Sequence, residues 1–189
     1  MKIILPMLAV MFSAACVLTG CQSPNVKSPG GAGAVRTTRN NCYSLLHQLL
    51  NDQKNVGLLR FIKREDTDVK ILVKKIANAS GAGATLLEEM ARHDPSINLN
   101  EIWLPSGESA TRDAIASTKK KELLGHTGDE FELALLLTQT EALSYAWHLA
   151  KVAAENEPRP DHARAVAGLS KDMENLYHEA FMLLLSRKK

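Results

Sequence analysis

Apolar residues recur at three- and four-residue intervals along most of the chain, the spacing of a helix with one buried face. Leu45, Leu46, Leu49, Val56, Leu59 and Ile62 form the first stripe. It predicts a helix that starts at Asn40 or Asn41, whose side chains can cap free amides, and runs to about Arg64. A second stripe begins near Thr67 with Val69, Leu72, Val73 and Ile76, and resumes in phase at Leu87 and Met90. Between these lies Ala79-Ser80-Gly81-Ala82-Gly83-Ala84. Each interior Gly costs about 1 kcal/mol against Ala, so the run either breaks the helix or admits a close neighbour. The unbroken phase favours the second. Pro95 ends this helix. Residues 96–107 then read as a connection across the bundle end with Trp103 tucked in.

A short helix over 108–124 carries Ala114, Ile115, Leu123 and Leu124, and Gly125 stops it. Thr127-Gly128-Asp129-Glu130 has the form of a capping box. It opens the longest apolar helix, lined by Phe131, Leu135, Thr138, Ala142, Tyr145 and Leu149 and closed by Pro158-Arg159-Pro160. Asp161 caps the last helix, whose core face is Val166, Leu169 or Ser170, Met173, Leu176, Ala180 and Leu184. No strand-like alternation or 20–50-residue repeat occurs. The fold class expected is all-α: an antiparallel four-helix bundle with one additional short helix, over residues 41–189.

The first 40 residues follow a different pattern. Met1-Lys2 is a short positive region, and residues 3–17 are apolar apart from Pro6 and Ser13, the order of a secretory signal over 1–20. Leu18-Thr19-Gly20-Cys21 resembles the lipobox of bacterial lipoproteins, and Ser13-Ala14-Ala15-Cys16 is a poorer match. The resemblance implies a diacylglyceryl group on the Cys21 thiol, cleavage before Cys21 and acylation of its new amine. Two or more acyl chains hold stably, at about 0.8 kcal/mol per buried CH₂. Gln22 stands where enteric-type sorting places Asp for inner-membrane retention. By that resemblance the expected address is the outer membrane, facing the periplasm, or the outer face of the cytoplasmic membrane in a one-membrane cell. Residues 21–40, rich in Pro, Gly, Ser and Asn, read as a flexible tether spanning roughly 25 Å.

Composition narrows the partners. With 23 Lys+Arg against 21 Asp+Glu, the chain is too balanced for a nucleic-acid binder that works by counterion release. The lipid bilayer, through acylated Cys21, and an unidentified envelope protein are the partners expected. Aromatics are 5% of residues, which suits an Ala- and Leu-rich helical protein. Once Cys21 is lipidated, Cys42 has no intrachain partner; it reads as core packing, with pairing between chains as the alternative.

Candidate chemistry is sparse. The ferritin-like di-metal signature needs Glu-x-x-His, and the residues three before the six histidines are Ser44, Met90, Leu123, Tyr145, Arg159 and Asn175. The pairs Glu89/His93, His126/Glu130 and Glu174/His178 share helical faces at one-turn spacing. A metal, if bound, is expected at Glu174 and His178 with Glu141 and His148; no cofactor beyond the covalent lipid is required. Gly-x-Ser-x-Gly, Cys-x-x-Cys and a phosphate-loop lysine are all absent, so no catalytic residue is assigned. Gln139 and Glu141 interrupt an apolar helix and, if buried, need partners.

Residues 43–185 resemble a family of secreted bacterial helical bundles, ferritin-like in shape and mostly of unknown function. The similar features are Leu123-Leu124-Gly125, Gly128-Asp129-Glu130-Phe131-Glu132, the turn at Pro158 and Leu176-Tyr177-His178. Members carry a His in the second helix where this chain has Ser80-Gly81-Ala82, and His178 alone matches the family pattern. The functional expectation is a non-catalytic interaction module in the cell envelope. A degenerate ferritin-like metal-binding protein and a carrier of a small apolar ligand are the alternatives.

Overall fold

The structure, a computed structural model, describes residues 32–56 and 66–187, which form five helices and no strand. The signal segment 1–20, Cys21, the first part of the tether and the stripe residues Leu59 and Ile62 lie outside the described residues. No helix among those described is long and apolar enough to cross a membrane.

Helix α1 is Ala32–Gln53, so it begins well before Asn40. The expected caps are not at a terminus because their amides have other work. Asn41 holds the backbone of Trp103 from both sides: Nδ2 donates to Trp103 O at 2.9 Å, and Oδ1 accepts from Trp103 N at 2.8 Å. Asn40 Nδ2 donates to Ser96 O at 3.0 Å. Residues 32–40 therefore belong to the helical domain and not to the tether. At its other end α1 stops at Gln53, short of Arg64. There Asn51 accepts from Lys54 Nζ at 2.5 Å and Asn55 Nδ2 donates to Asn51 O at 3.1 Å, the side-chain competition that ends helices.

Helix α2, Thr67–His93, is continuous through its glycines, with Asp66 preceding it as N-cap. A Cβ on Gly83 would lie 2.7 Å from Leu169 Cδ1 and 3.1 Å from Leu50 Cδ1, so this glycine admits two neighbouring helices. Helix α3 is Ser106–Gly125 and buries no residue. Helix α4, Gly128–Glu155, starts without the capping box. Gly128 takes φ +58°, Thr127 caps nothing with its side chain, and Glu130 Oε2 faces His126 Nδ1 at 3.3 Å. Helix α5, Pro160–Ser186, starts on a proline whose missing N–H costs nothing at that position. Asp161 there pairs with Arg159 at 3.0 Å.

Helix α1 packs on α2 and α4, α5 packs on α4 and α2, and α3 rests on α4. The shared core holds Tyr43, Leu46, Leu50, Leu72, Ile76, Leu87, Phe131, Leu135, Leu143 and Met173, all fully buried. Trp103 is not tucked in: it is 64% exposed. Asn41 fixes its backbone, and Ile97 is the buried anchor of that connection.

Candidate functional site

A cluster of buried charges lies at the bundle end where α2 and α4 finish and α5 begins. Glu157 sits in the tight α4–α5 turn with its side chain shut from solvent. Tyr43 of α1 donates its hydroxyl to Glu157 Oε2 at 2.7 Å, and the Arg159 amide donates to Oε1 at 3.1 Å. Burial first, and then the bond to Glu157, pushes the Tyr43 phenol far above its ordinary value, so it remains a donor. Arg39 Nη1 stands 3.6 Å from Glu157 Oε2, an ion pair without a hydrogen bond. The hydrogen bonds of Arg39 go elsewhere: Nη2 donates to Ser96 O at 2.8 Å, Ser96 Oγ at 3.1 Å and Asn40 Oδ1 at 3.2 Å.

Asp94, the C-cap of α2, accepts from the Ser96 amide at 2.9 Å. Hydrogen bonds from Ser96, side chain first, hold its carboxyl below the usual range against a smaller opposing effect of burial. His162, in the first turn of α5, is 8% exposed, and its Nδ1 is buried with no hydrogen-bond partner. Such a nitrogen costs about 1–3 kcal/mol if left unpaired. One ligating atom each from Asp94, Glu157 and His162 lies within 4.8 Å of the others. Beside them Pro95, Ser96, Asn40 and Arg36 line an open polar cleft of about 280 Å³.

At the opposite end of α5, Arg187 reaches Asp66 at 2.7 Å and Asp68 at 2.5 Å, and stands 3.5 Å from the buried Glu132. Glu132 also accepts from the Asp66 amide. A third feature lies on the outer face of α4 and α5. Trp147 and Tyr177 have ring centroids 5.9 Å apart, Tyr177 and Phe181 stack at 6.0 Å and 9°, and His178 lies 6.1 Å from Trp147. Trp147 and Tyr177 are half-buried; His178 and Phe181 are exposed.

The residues singled out from the sequence lie on the same two helices. Glu141 is exposed and paired with Lys119 at 2.6 Å. His148 Nδ1 meets Ser144 O at 2.7 Å, which makes it the donor, and its ring lies tilted at 44° to that of Trp147 with centroids 4.5 Å apart. Glu174 takes a bond from Lys171 at 2.7 Å, and His178 Nε2 is 4.0 Å away. Lys119 and Lys171 pair with the two carboxylates, and among the described residues these four side chains do not gather into one ligand group. Gln139 is buried with an unpartnered Oε1. Cys42 is buried, and burial raises its thiol to about 11, as core packing requires.

Sequence spacing missed Arg39, Tyr43, Asp94 and Glu157 because three separate segments bring them together. His162 did carry a signal, since it lies four residues before Val166 and so continues the core stripe of α5. No protein-family model matches the chain, no curated protein matches it, and no solved structure matches it.

Proposed function

We propose that this chain is a lipoprotein, acylated at Cys21 and held in the outer membrane facing the periplasm, that presents a non-catalytic interaction module. In a one-membrane cell the same anchor holds it on the outer face of the cytoplasmic membrane. The domain is read as a ferritin-like antiparallel four-helix bundle of α1, α2, α4 and α5, with α3 appended. The pairing of α1 with α2 and α4, and of α5 with the same two helices, supports that arrangement.

The observation that carries the interaction reading is the aromatic face of Trp147, Tyr177 and Phe181. Aromatic residues left half-covered beside one another are enriched where protein surfaces meet. Leu137, Met182 and Leu185 are also exposed on the same two helices.

Photo-crosslinking of the full chain in its own cells tests this. A benzoylphenylalanine at Tyr177 is expected to give a discrete protein adduct, and one at the exposed Lys74 of α2 is not. The adduct is expected to vanish with Trp147→Ala plus Phe181→Ala at unchanged thermal stability. Equal labelling from both positions sinks the reading. The anchor is tested separately: Cys21→Ala should leave the precursor uncleaved. Maturation of that variant at the same site, with retention in membranes, excludes the lipobox.

A further inference from the structure

We propose that Asp94, Glu157 and His162 form a binding site for one divalent transition-metal cation of the zinc type. Three ligating atoms, two carboxylate and one imidazole, already lie within 4.8 Å of one another. Ligands each about 2.0–2.2 Å from a tetrahedral ion lie about 3.3–3.6 Å apart, so binding must draw the widest pair together by up to roughly 1.4 Å. The donor set points to the class of ion. A lone imidazole among carboxylates suits zinc and its neighbours, whereas magnesium prefers oxygen alone. The buried Nδ1 of His162, with no hydrogen-bond partner, is the independent sign that something else belongs there.

The surroundings suit a cation. Two carboxylates, Asp94 and Glu157, face two guanidinium groups: Arg39 stands 3.6 Å from Glu157 without hydrogen-bonding to it, and the exposed Arg159 spends its side-chain hydrogen bonds on Asp161. Helices α2 and α4 both end at this point, and helix C-termini carry partial negative charge. The first turn of α5 opposes this, but it contributes one terminus against two. The carboxylates are oriented by outer partners, as ligands in metal sites usually are: Tyr43 and the Arg159 amide on Glu157, and the Ser96 amide on Asp94. Each oxygen of Glu157 accepts one hydrogen bond and retains a lone pair. Asp94 is half-exposed, which gives an ion its way in from solvent. This site is independent of the aromatic face and of any partner bound there.

The test uses the full chain in detergent, stripped by a chelator and titrated with zinc chloride in a calorimeter, with magnesium chloride as comparison. One zinc per chain is expected, with a raised Tm and no response to magnesium. His162→Gln and Asp94→Asn should each weaken zinc binding at least tenfold, and His178→Gln should leave it unchanged. Absence of stoichiometric zinc, or binding indifferent to His162→Gln, overturns the proposal. Loss of binding in His178→Gln alone overturns it too, since the ion would then sit on the aromatic face. Should the His162 or Asp94 variants fail to fold, the wild-type chain decides: zinc must protect His162 from diethylpyrocarbonate, read by mass spectrometry, and equal modification with and without zinc refutes the site.

Discussion

Two glycines two residues apart in α2 have opposite roles, and a pair of substitutions separates them. A Cβ on Gly81 meets only Lys54 Cβ at 3.9 Å, an ordinary contact, so Gly81→Ala should gain helix propensity of up to about 1 kcal/mol. Gly83 has Leu169 and Leu50 pressed against it, and both leucines are buried. Gly83→Val should overpack that contact and cost about 1–3 kcal/mol. Thermal unfolding should therefore shift up by about 2–4 °C for the first variant and down for the second. Equal shifts would mean the helices do not meet closely at Gly83. Cys42 gives a second check. Its pKa is raised from 9.0 to about 11, so the folded state favours the neutral thiol. Its stabilising contribution is full below the unfolded value and is lost as pH rises toward the folded one. Native protein at pH 8 should resist iodoacetamide at Cys42, and unfolded protein should react. Rapid native labelling would place the thiol at the surface. The burial of Cys42 was legible from its place before an apolar stripe. The charges around Glu157 were not, because a turn residue shows no periodicity and its partners lie up to 118 positions away, at Arg39.

The sequence reads best at the level of whole helices wherever an apolar stripe meets a single neighbouring face. Helices α2, α4 and α5 fall within a residue or two of their expected bounds. Errors arise where polar side chains find partners other than the helix ends they could cap. Asn41 binds the Trp103 backbone in place of capping α1, and Glu130 turns to His126 in place of the Thr127 cap. No propensity scale contains those choices. Helix α3 is the weakest element. It buries no residue fully, leaves Ile115 and Leu124 exposed, and is held by Leu123 packed partly against the core, by the Lys119–Glu141 pair and by Arg112 over the Tyr145 ring at 4.8 Å. Exposed ion pairs contribute about 0–1 kcal/mol and a surface cation–π contact about 0.5–1 kcal/mol. Amides of 106–125 should therefore exchange hydrogen well before those of α2, α4 and α5, in a local opening that leaves the core intact. Ala116→Pro should then melt α3 with little change in the main thermal transition. Protection of α3 equal to that of α4 would contradict this.

Across the whole molecule, charge is buried at both ends of α5 and the apolar core lies between. Glu157 ties the first end to α1 through Tyr43 and Arg39, while Arg187 ties the last to the start of α2 and to α4. In sequence Arg187 belongs to a basic tail that reads as solvated charge at a helix C-terminus; Lys188 and Lys189 lie outside the described residues. In the fold Arg187 is a clasp, since its partners at Asp66, Asp68 and Glu132 belong to two other helices. The partners are unequal. Asp66 and Asp68 are mostly exposed, and such pairs contribute about 0–1 kcal/mol each. Glu132 has a side chain only 6% exposed, and removing the partner of a buried charge costs about 3–5 kcal/mol. Arg187→Ala should therefore lower stability by roughly 3 kcal/mol, most of it from the abandoned carboxylate. Glu132→Gln keeps an oxygen for the Asp66 amide while removing the charge. Added to Arg187→Ala, it should restore most of the loss in denaturant unfolding, a coupling that only contacting residues show. If Arg187→Ala costs less than about 1 kcal/mol, the pair behaves as a surface contact. The bundle would then owe its closure at this end to apolar packing alone.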